Sequence, residues 1–282
     1  MDLRPHQGIC RHQRRLSELK PRVEDEQRPT PALAKVRRLE AAGFRAWPAA
    51  AVHYDGTWLV RLTAGHSAKR LNSINPLDPS DVGNLDERIA RAAQRFDASG
   101  RPLTFRISPL SGSELSRHLD EKGWSAFEES LVMRLPLAQA GVENALDQIP
   151  LKDIGRFVAA SAKVHELPES QRSGLAEIIG AIRPEAGLFV LEEDGRPLAT
   201  AICVHDGELA GLFEIATDPA ERGKGHGRRL VRSALKWARL RGAREAWLQV
   251  GASNDAARHL YETLGFAEVY RYHYRRPPEV EA

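Results

Sequence analysis

Glu221-Arg222-Gly223-Lys224-Gly225-His226-Gly227 stands between an apolar, strand-like run, Leu209 to Thr217, and an amphipathic helix that begins near Gly227. Glycines alternating with basic or polar residues let the backbone turn tightly and bring consecutive N–H groups towards one point. The following helix aims its positive end at the same point. Such a turn is a pocket for a phosphate or pyrophosphate. Its candidate ligands are Arg222, Gly223, Lys224, Gly225, His226, Gly227 and Arg228.

Two common phosphate-binding patterns do not fit. A P-loop requires Lys and then Ser or Thr directly after its last glycine, whereas Arg228 and Arg229 follow Gly227. A dinucleotide fingerprint requires glycine at position 228 and an acid closing the next strand, where Arg228 and Gln249 stand. The order Arg222-x-x-Gly225-x-Gly227 resembles the coenzyme A signature of the GNAT superfamily of N-acetyltransferases. After a strand at Glu245 to Val250 comes Asn254-Asp255-Ala256-Ala257-Arg258-His259-Leu260-Tyr261-Glu262-Thr263-Leu264-Gly265-Phe266, which is similar to the second GNAT signature. The resemblance implies acetyl-CoA as cosubstrate and no metal, with Asn254 on the pantetheine arm and Tyr261 near the coenzyme sulfur. It also implies a bulge that splays the sheet in the strand before the glycine loop. There Ile215 and Thr217 are placed to lend backbone groups to the coenzyme. Asn254 and Tyr261 lie two helical turns apart, so a continuous helix puts them on one face.

Acetyl transfer sets three chemical needs: a base for the attacking amine, a donor for the developing oxyanion, and an acid for the departing thiolate. Tyr261 suits the last, since a phenol of pKa ~10 stays protonated at neutral pH. Some GNAT enzymes carry a Glu base in the strand before the Asn signature. Here that strand reads Trp247-Leu248-Gln249-Val250, and Gln249 accepts no proton. Glu214, a carboxylate inside an apolar strand, is the substitute base, because an idle charge there is costly. His165, Glu166 or water remain alternatives. With no Cys at a motif position, direct attack in a ternary complex is expected.

The chain of 282 residues has a formal net charge of +3 and 28% charged residues, which describes a globular protein rather than an electrostatic nucleic-acid binder. Two distant cysteines, Cys10 and Cys203, make a disulfide framework improbable and fit a reducing cytoplasm. No apolar run approaches the ~20 residues of a membrane span.

Residues 1–30 are rich in Arg, His, Gln, Pro and Glu and read as a basic, mobile tail. From Pro31 a helix carrying Leu33, Val36, Leu39 and Ala42 leads to two strands around the turn signal Asp55-Gly56. Gly65 to Pro79 reads as irregular. Helices near Leu85 to Phe96 and Glu114 to Glu121 alternate with strands at Leu103 to Ile107 and Ser130 to Leu135. Arg117-His118-Leu119-Asp120-Glu121-Lys122-Gly123-Trp124 parallels Arg258 to Phe266, one residue shorter, with Asp120 where Tyr261 stands. This parallel points to a duplicated GNAT unit whose first copy lacks the glycine loop.

The expected fold is therefore α/β: two GNAT-like units, each a mixed, mostly antiparallel twisted sheet flanked by helices. Residues 31–137 form a degenerate unit, 138–150 a linker and 151–282 the catalytic unit. The expected activity is transfer of acetyl to a primary amine, on a small molecule or a peptide, with oligomeric state open, a homodimer included. The alternative is a non-catalytic acyl-CoA-binding regulatory protein, to which the Gln249 departure lends support. The interleaved Tyr270-Arg271-Tyr272-His273-Tyr274-Arg275 reads as a strand with one buried and one wet face rather than a nucleic-acid surface.

Overall fold

The computed structural model describes residues 32–279; the tail expected over 1–30, with Cys10, lies outside them. In the N-terminal half, Val36, Leu39, Ala42 and Ala46 recur at helical spacing and form the buried stripe of α1 (Leu33–Ala46). Gly56, at φ +59°, closes the hairpin between β1 (Ala51–Asp55) and β2 (Trp58–Leu62). Then come β3 (Ser73–Pro76), α2 (Leu85–Ala98), β4 (Phe105–Ile107), α3 (Gly112–Glu121) and β5 (Ser125–Pro136). The C-terminal half runs α4 (Ile154–Val164), α5 (Arg172–Ala181), β6 (Glu185–Glu193), β7 (Arg196–Asp206), β8 (Leu209–Thr217), α6 (His226–Leu240), β9 (Glu245–Gly251), α7 (Asp255–Thr263) and β10 (Ala267–Arg276).

Strand β3 falls inside the stretch that reads as irregular. Its Asn and Pro residues signal turns, yet all four of its residues are buried. The neighbouring amides are spent on the main chain: Asn75 Nδ2 donates to Leu59 O at 3.2 Å, and Asn72 Nδ2 to His66 O at 2.7 Å. Polar side chains that satisfy backbone acceptors can be buried as readily as apolar ones.

The sheets are mostly antiparallel and flanked by helices, as expected, but they are one sheet. Its ten strands run β1-β2-β3-β4-β10-β5-β9-β8-β7-β6. Each half contributes a four-strand block containing one parallel pair, β3 with β4 and β8 with β9. The last strand of each half then crosses over. Strand β10 pairs with β4 of the other half, β5 pairs with β9, and the two exchanged strands pair with one another between the blocks. The sheet thus crosses the division drawn at 138–150. That stretch is itself held down: Val142 is buried, and Arg232 and Lys236 of α6 donate to Gly141 O (2.7 Å) and Ala145 O (2.9 Å). The basic face of α6 clasps the connection between the halves.

Alternation along β10 buries Tyr270, Tyr272 and Tyr274 on one face. Under them lies a buried ion pair across the first half's elements. Arg106 of β4 forks onto Glu40 of α1, with Nη2 to Oε1 at 2.9 Å, and Tyr270 OH donates to the same Oε1 at 2.5 Å. The Arg106 guanidinium also lies 3.6 Å from the Tyr272 ring centre. Burial alone would lower the Arg106 pKa, but Glu40 holds it well above the ordinary value. Glu40→Ala leaves that cation buried without its partner, so urea unfolding should show a loss of about 3–5 kcal/mol. Because the sheet is shared, intrinsic Trp fluorescence should report one unfolding transition for the two halves rather than two.

Candidate active site

The sheet opens at one place in the C-terminal half. Thr200 pairs with Ala216 and Ile202 with Phe213, which leaves Glu214 and Ile215 opposite Ala201 alone. This bulge holds Glu214 at φ +48°, in the left-handed region that a residue with a Cβ seldom adopts. The parallel pairing of β8 with β9 ends at Leu212 and Leu248, just before the bulge. From Phe213 onward β8 keeps β7 on one edge and, among the described residues, has no strand on the other. Ile215 and Thr217 both lie on this open stretch.

The glycine loop follows. Gly223 and Gly225 sit at φ +79° and +84°, and a Cβ on either would meet nothing within 4 Å. Conformation, not crowding, requires glycine there. Gly227 is glycine for the opposite reason: a Cβ would stand 3.0 Å from Thr217 Oγ1 and 3.7 Å from Leu260 Cδ2. Its bare backbone brings the start of α6, the end of β8 and α7 together. Gly225 caps α6 without a side chain, and the first N–H bonded back to it is that of Arg229, at 3.0 Å. The N–H groups of His226, Gly227 and Arg228 therefore have no main-chain acceptor among the described residues.

The charges around this turn differ in availability. Lys224 pairs with Glu221 at 2.8 Å, and that neighbour holds the Glu221 carboxyl below its usual range. His226 stands 3.6 Å from the same carboxylate, while Arg228 donates to Thr263 Oγ1 at 2.7 Å. Among the described residues no carboxylate pairs with Arg222.

Asn254 stands before α7 rather than within it. Its Oδ1 accepts from Ala257 N at 3.1 Å as the helix cap, and its amide NH2 remains for a ligand. Tyr261 is buried against Phe266, ring centres 5.9 Å apart, and no described residue accepts from its hydroxyl. Burial pushes its pKa up to about 12.

Glu214 has company that the sequence did not announce. Arg70, from the turn between β2 and β3, reaches it at 3.0 Å, and His165 Nε2 stands 3.9 Å from its other oxygen. His165 Nε2 is buried and makes no hydrogen bond in the described structure. Burial lowers the pKa of His66, with Glu214 pulling the other way. Both Arg70 and His66 belong to the N-terminal half, in the stretch that reads as irregular, and no motif marks them. Glu166, by contrast, is exposed and joins none of these contacts. Gln249 has a structural task, accepting from Tyr272 OH at 3.0 Å.

The matching turn in the N-terminal half carries acid where the second carries glycine and base. Asp81 accepts from Thr57 N and Oγ1, both at 2.7 Å, and from the buried Arg88 at 2.8 Å. Burial would raise its carboxyl, but Arg88 and Thr57 bring it down to about 2. A fixed carboxylate fills this turn and repels a phosphate. At the Tyr261 counterpart, Asp120 is exposed and pairs with Arg275 of β10 at 2.5 Å.

Residues 155–266 match the model of the acetyltransferase (GNAT) family. A [ribosomal protein bS18]-alanine N-acetyltransferase of Escherichia coli is 32% identical over 126 residues, covering 44% of this chain and 82% of that protein. An uncharacterized N-acetyltransferase, YobR, of Bacillus subtilis is 27% identical over 248 residues, 85% of this chain and 98% of that protein. The solved structure of a GCN5-related N-acetyltransferase from Kribbella flavida shares the fold with a TM-score of 0.66 at 18% identity, covering 89% of this chain and 98% of that one. Among the described residues no helix is long and apolar enough to cross a membrane.

The raised Tyr261 pKa has a measurable sign. The group ionises later in the folded state than in the unfolded, so its linked stability is intact below pH ~10 and lost as the pH climbs towards the folded value of about 12. Phenolate absorbance of the wild type and Tyr261→Phe should coincide through pH 10 and part only above it. A divergence near pH 9 contradicts the burial.

Proposed function

This chain belongs to the GNAT acetyltransferase family, and we propose that it transfers acetyl from acetyl-CoA to a primary amine by direct attack with both substrates bound together. The observation that carries this reading is the opening of β8 from β9 at the Glu214 bulge, beside a loop whose N–H groups lack main-chain acceptors. The residues fit the coenzyme: a glycine turn whose N–H groups lack main-chain acceptors for its phosphates, and a β8 edge free of β9 beyond Leu212 for its amide-bearing arm.

Each group then has one task. The N–H groups from His226 to Arg228 receive phosphate oxygens, Arg222 supplies charge, and Lys224 joins on release from Glu221. Backbone groups of Ile215 and Thr217 and the Asn254 amide align the pantetheine, and a β8 N–H meets the negative charge on the acetyl oxygen. Glu214 takes the proton of the attacking amine, oriented by Arg70 and flanked by His165. Tyr261, protonated at the start of each turnover because its pKa is about 12, gives its proton to the departing thiolate and regains one from solvent. Cys203 is fully buried in β7, which pushes its thiol pKa up and argues against an acyl-cysteine route. Coenzyme binding is assigned to 151–282 alone, because Asp81 occupies the equivalent turn of 31–137.

Acetyl-CoA at ~100 times its Kd should stabilise the protein by ~2.7 kcal/mol in thermal unfolding. Gly225→Glu, forced into a left-handed φ with a carboxylate at the phosphate turn, should abolish that shift. No shift of the wild type at millimolar ligand overturns the reading. In an amine assay, Tyr261→Phe and Glu214→Gln should each lower kcat about 10²-fold or more while the coenzyme shift is retained.

A further inference from the structure

A pocket of about 470 Å³ opens in the N-terminal half, between α1 and the β1–β2 hairpin. Ala41, Phe44, Val52, Leu59, Leu77 and Leu110 give it apolar walls. Its volume lies in the ~300–1,000 Å³ range of small-molecule sites. At the mouth Val52 is 45% and Tyr54 71% exposed, apolar surface that an occupant would cover.

One lining charge is unlike the others. Arg61 is 4% exposed, and its guanidinium donates to the main-chain oxygens of Arg70 (2.6 Å) and Trp47. Carbonyl dipoles solvate a cation without neutralising it. Every other charged residue of the lining has an opposite charge: Glu40 has Arg106, Arg45 has Asp206 at 2.7 Å, and Arg37 has Asp78 at 3.8 Å. Among the described residues no carboxylate pairs with Arg61. Burial pushes its pKa down to about 9, Arg106 and Arg70 add repulsion, and the attraction of Glu40, already paired with Arg106, and of Tyr274 offsets this only in part. A buried, unneutralised charge is a standing cost that an anion would remove.

We propose that this pocket binds a small molecule with an apolar body and one terminal carboxylate, which pairs with Arg61 while the body lies along Phe44, Leu59 and Leu77. The planar guanidinium suits a carboxylate, and two lining arginines at the rim disfavour a cationic ligand. The pocket's lining runs from Arg37 to Leu110 and includes no residue of the coenzyme turn or of the Glu214 bulge. It is nonetheless tied to Glu214: Arg61 holds the main chain of Arg70, whose side chain holds that carboxylate. The binding claim stands whether or not Glu214 is the base.

The test is titration calorimetry of the full chain with 4-phenylbutyrate and with the alcohol of the same shape, 4-phenylbutanol. The acid should bind at least about tenfold more tightly. Arg61→Met should bring the acid to the level of the alcohol. Because that change also removes two main-chain bonds, Ala41→Phe serves as a second variant; it fills the pocket, spares Arg61 and should abolish both bindings. A retained acetyl-CoA shift certifies each variant as folded and reads the coenzyme site separately. Equal binding of acid and alcohol, acid binding that survives Ala41→Phe, or no acid binding to the wild type at millimolar concentration overturns the proposal.

Discussion

The antiparallel pairing of β5 with β10 is what the remaining structure depends on, because each of these strands completes the sheet of the half it does not come from. Two separate units would each present an open strand at this edge, and open edges invite foreign pairing. Exchange removes both edges at once. It also fixes where α1 lies, over the C-terminal strands: Trp47 stacks on Phe213 with ring centres 5.4 Å apart, and Gly43 comes close enough to Trp247 that a Cβ would stand 3.3 Å from its ring. From that placement the turn after β2 reaches the bulge, and Arg70 meets Glu214. The N-terminal half thus contributes a charge, Arg70, to the bulge in the C-terminal half.

The bulge and the glycine loop divide the work by different physics. Glu214 carries a left-handed backbone at a cost of order 1–3 kcal/mol, sustained because β7 pairs on both sides of it and Arg70 fixes its side chain. Gly223 and Gly225 adopt similar dihedrals without that strain. One element is held open by surrounding structure; the other is open by default.

Local chemistry was legible in the sequence wherever a residue type answers to one backbone requirement. The Asp55-Gly56 hairpin and the positive-φ glycines at 223 and 225 are of this kind, whereas the splayed strand was legible only through the family resemblance and the capping role of Asn254 was not read. Helical spacing located α1, α6 and α7 for the same reason. What stayed hidden depends on contacts between distant parts of the chain. Strand β3 is written in Asn, Ser and Pro, whose turn preference yields to side-chain bonds to the main chain. Strand exchange has no local signature, since β5 and β10 alternate as they would in either sheet. Arg70 and His66 matter only because of that exchange. Gln249 looked like a lost base until Tyr272 supplied a partner from β10.

The order of strands has a consequence for the birth of the molecule. Strand β4 finds its second neighbour in His273 to Arg275 of β10, which comes after every other strand described. During synthesis the first half therefore waits with an incomplete sheet until the ribosome has delivered β10. Contacts so remote in sequence slow folding and prolong the exposure of unpaired edges. Buried polar anchors such as Asn75 and the Arg88–Asp81 pair give the waiting half internal bonds that need nothing from downstream. They keep a nascent chain in order before its last strand exists.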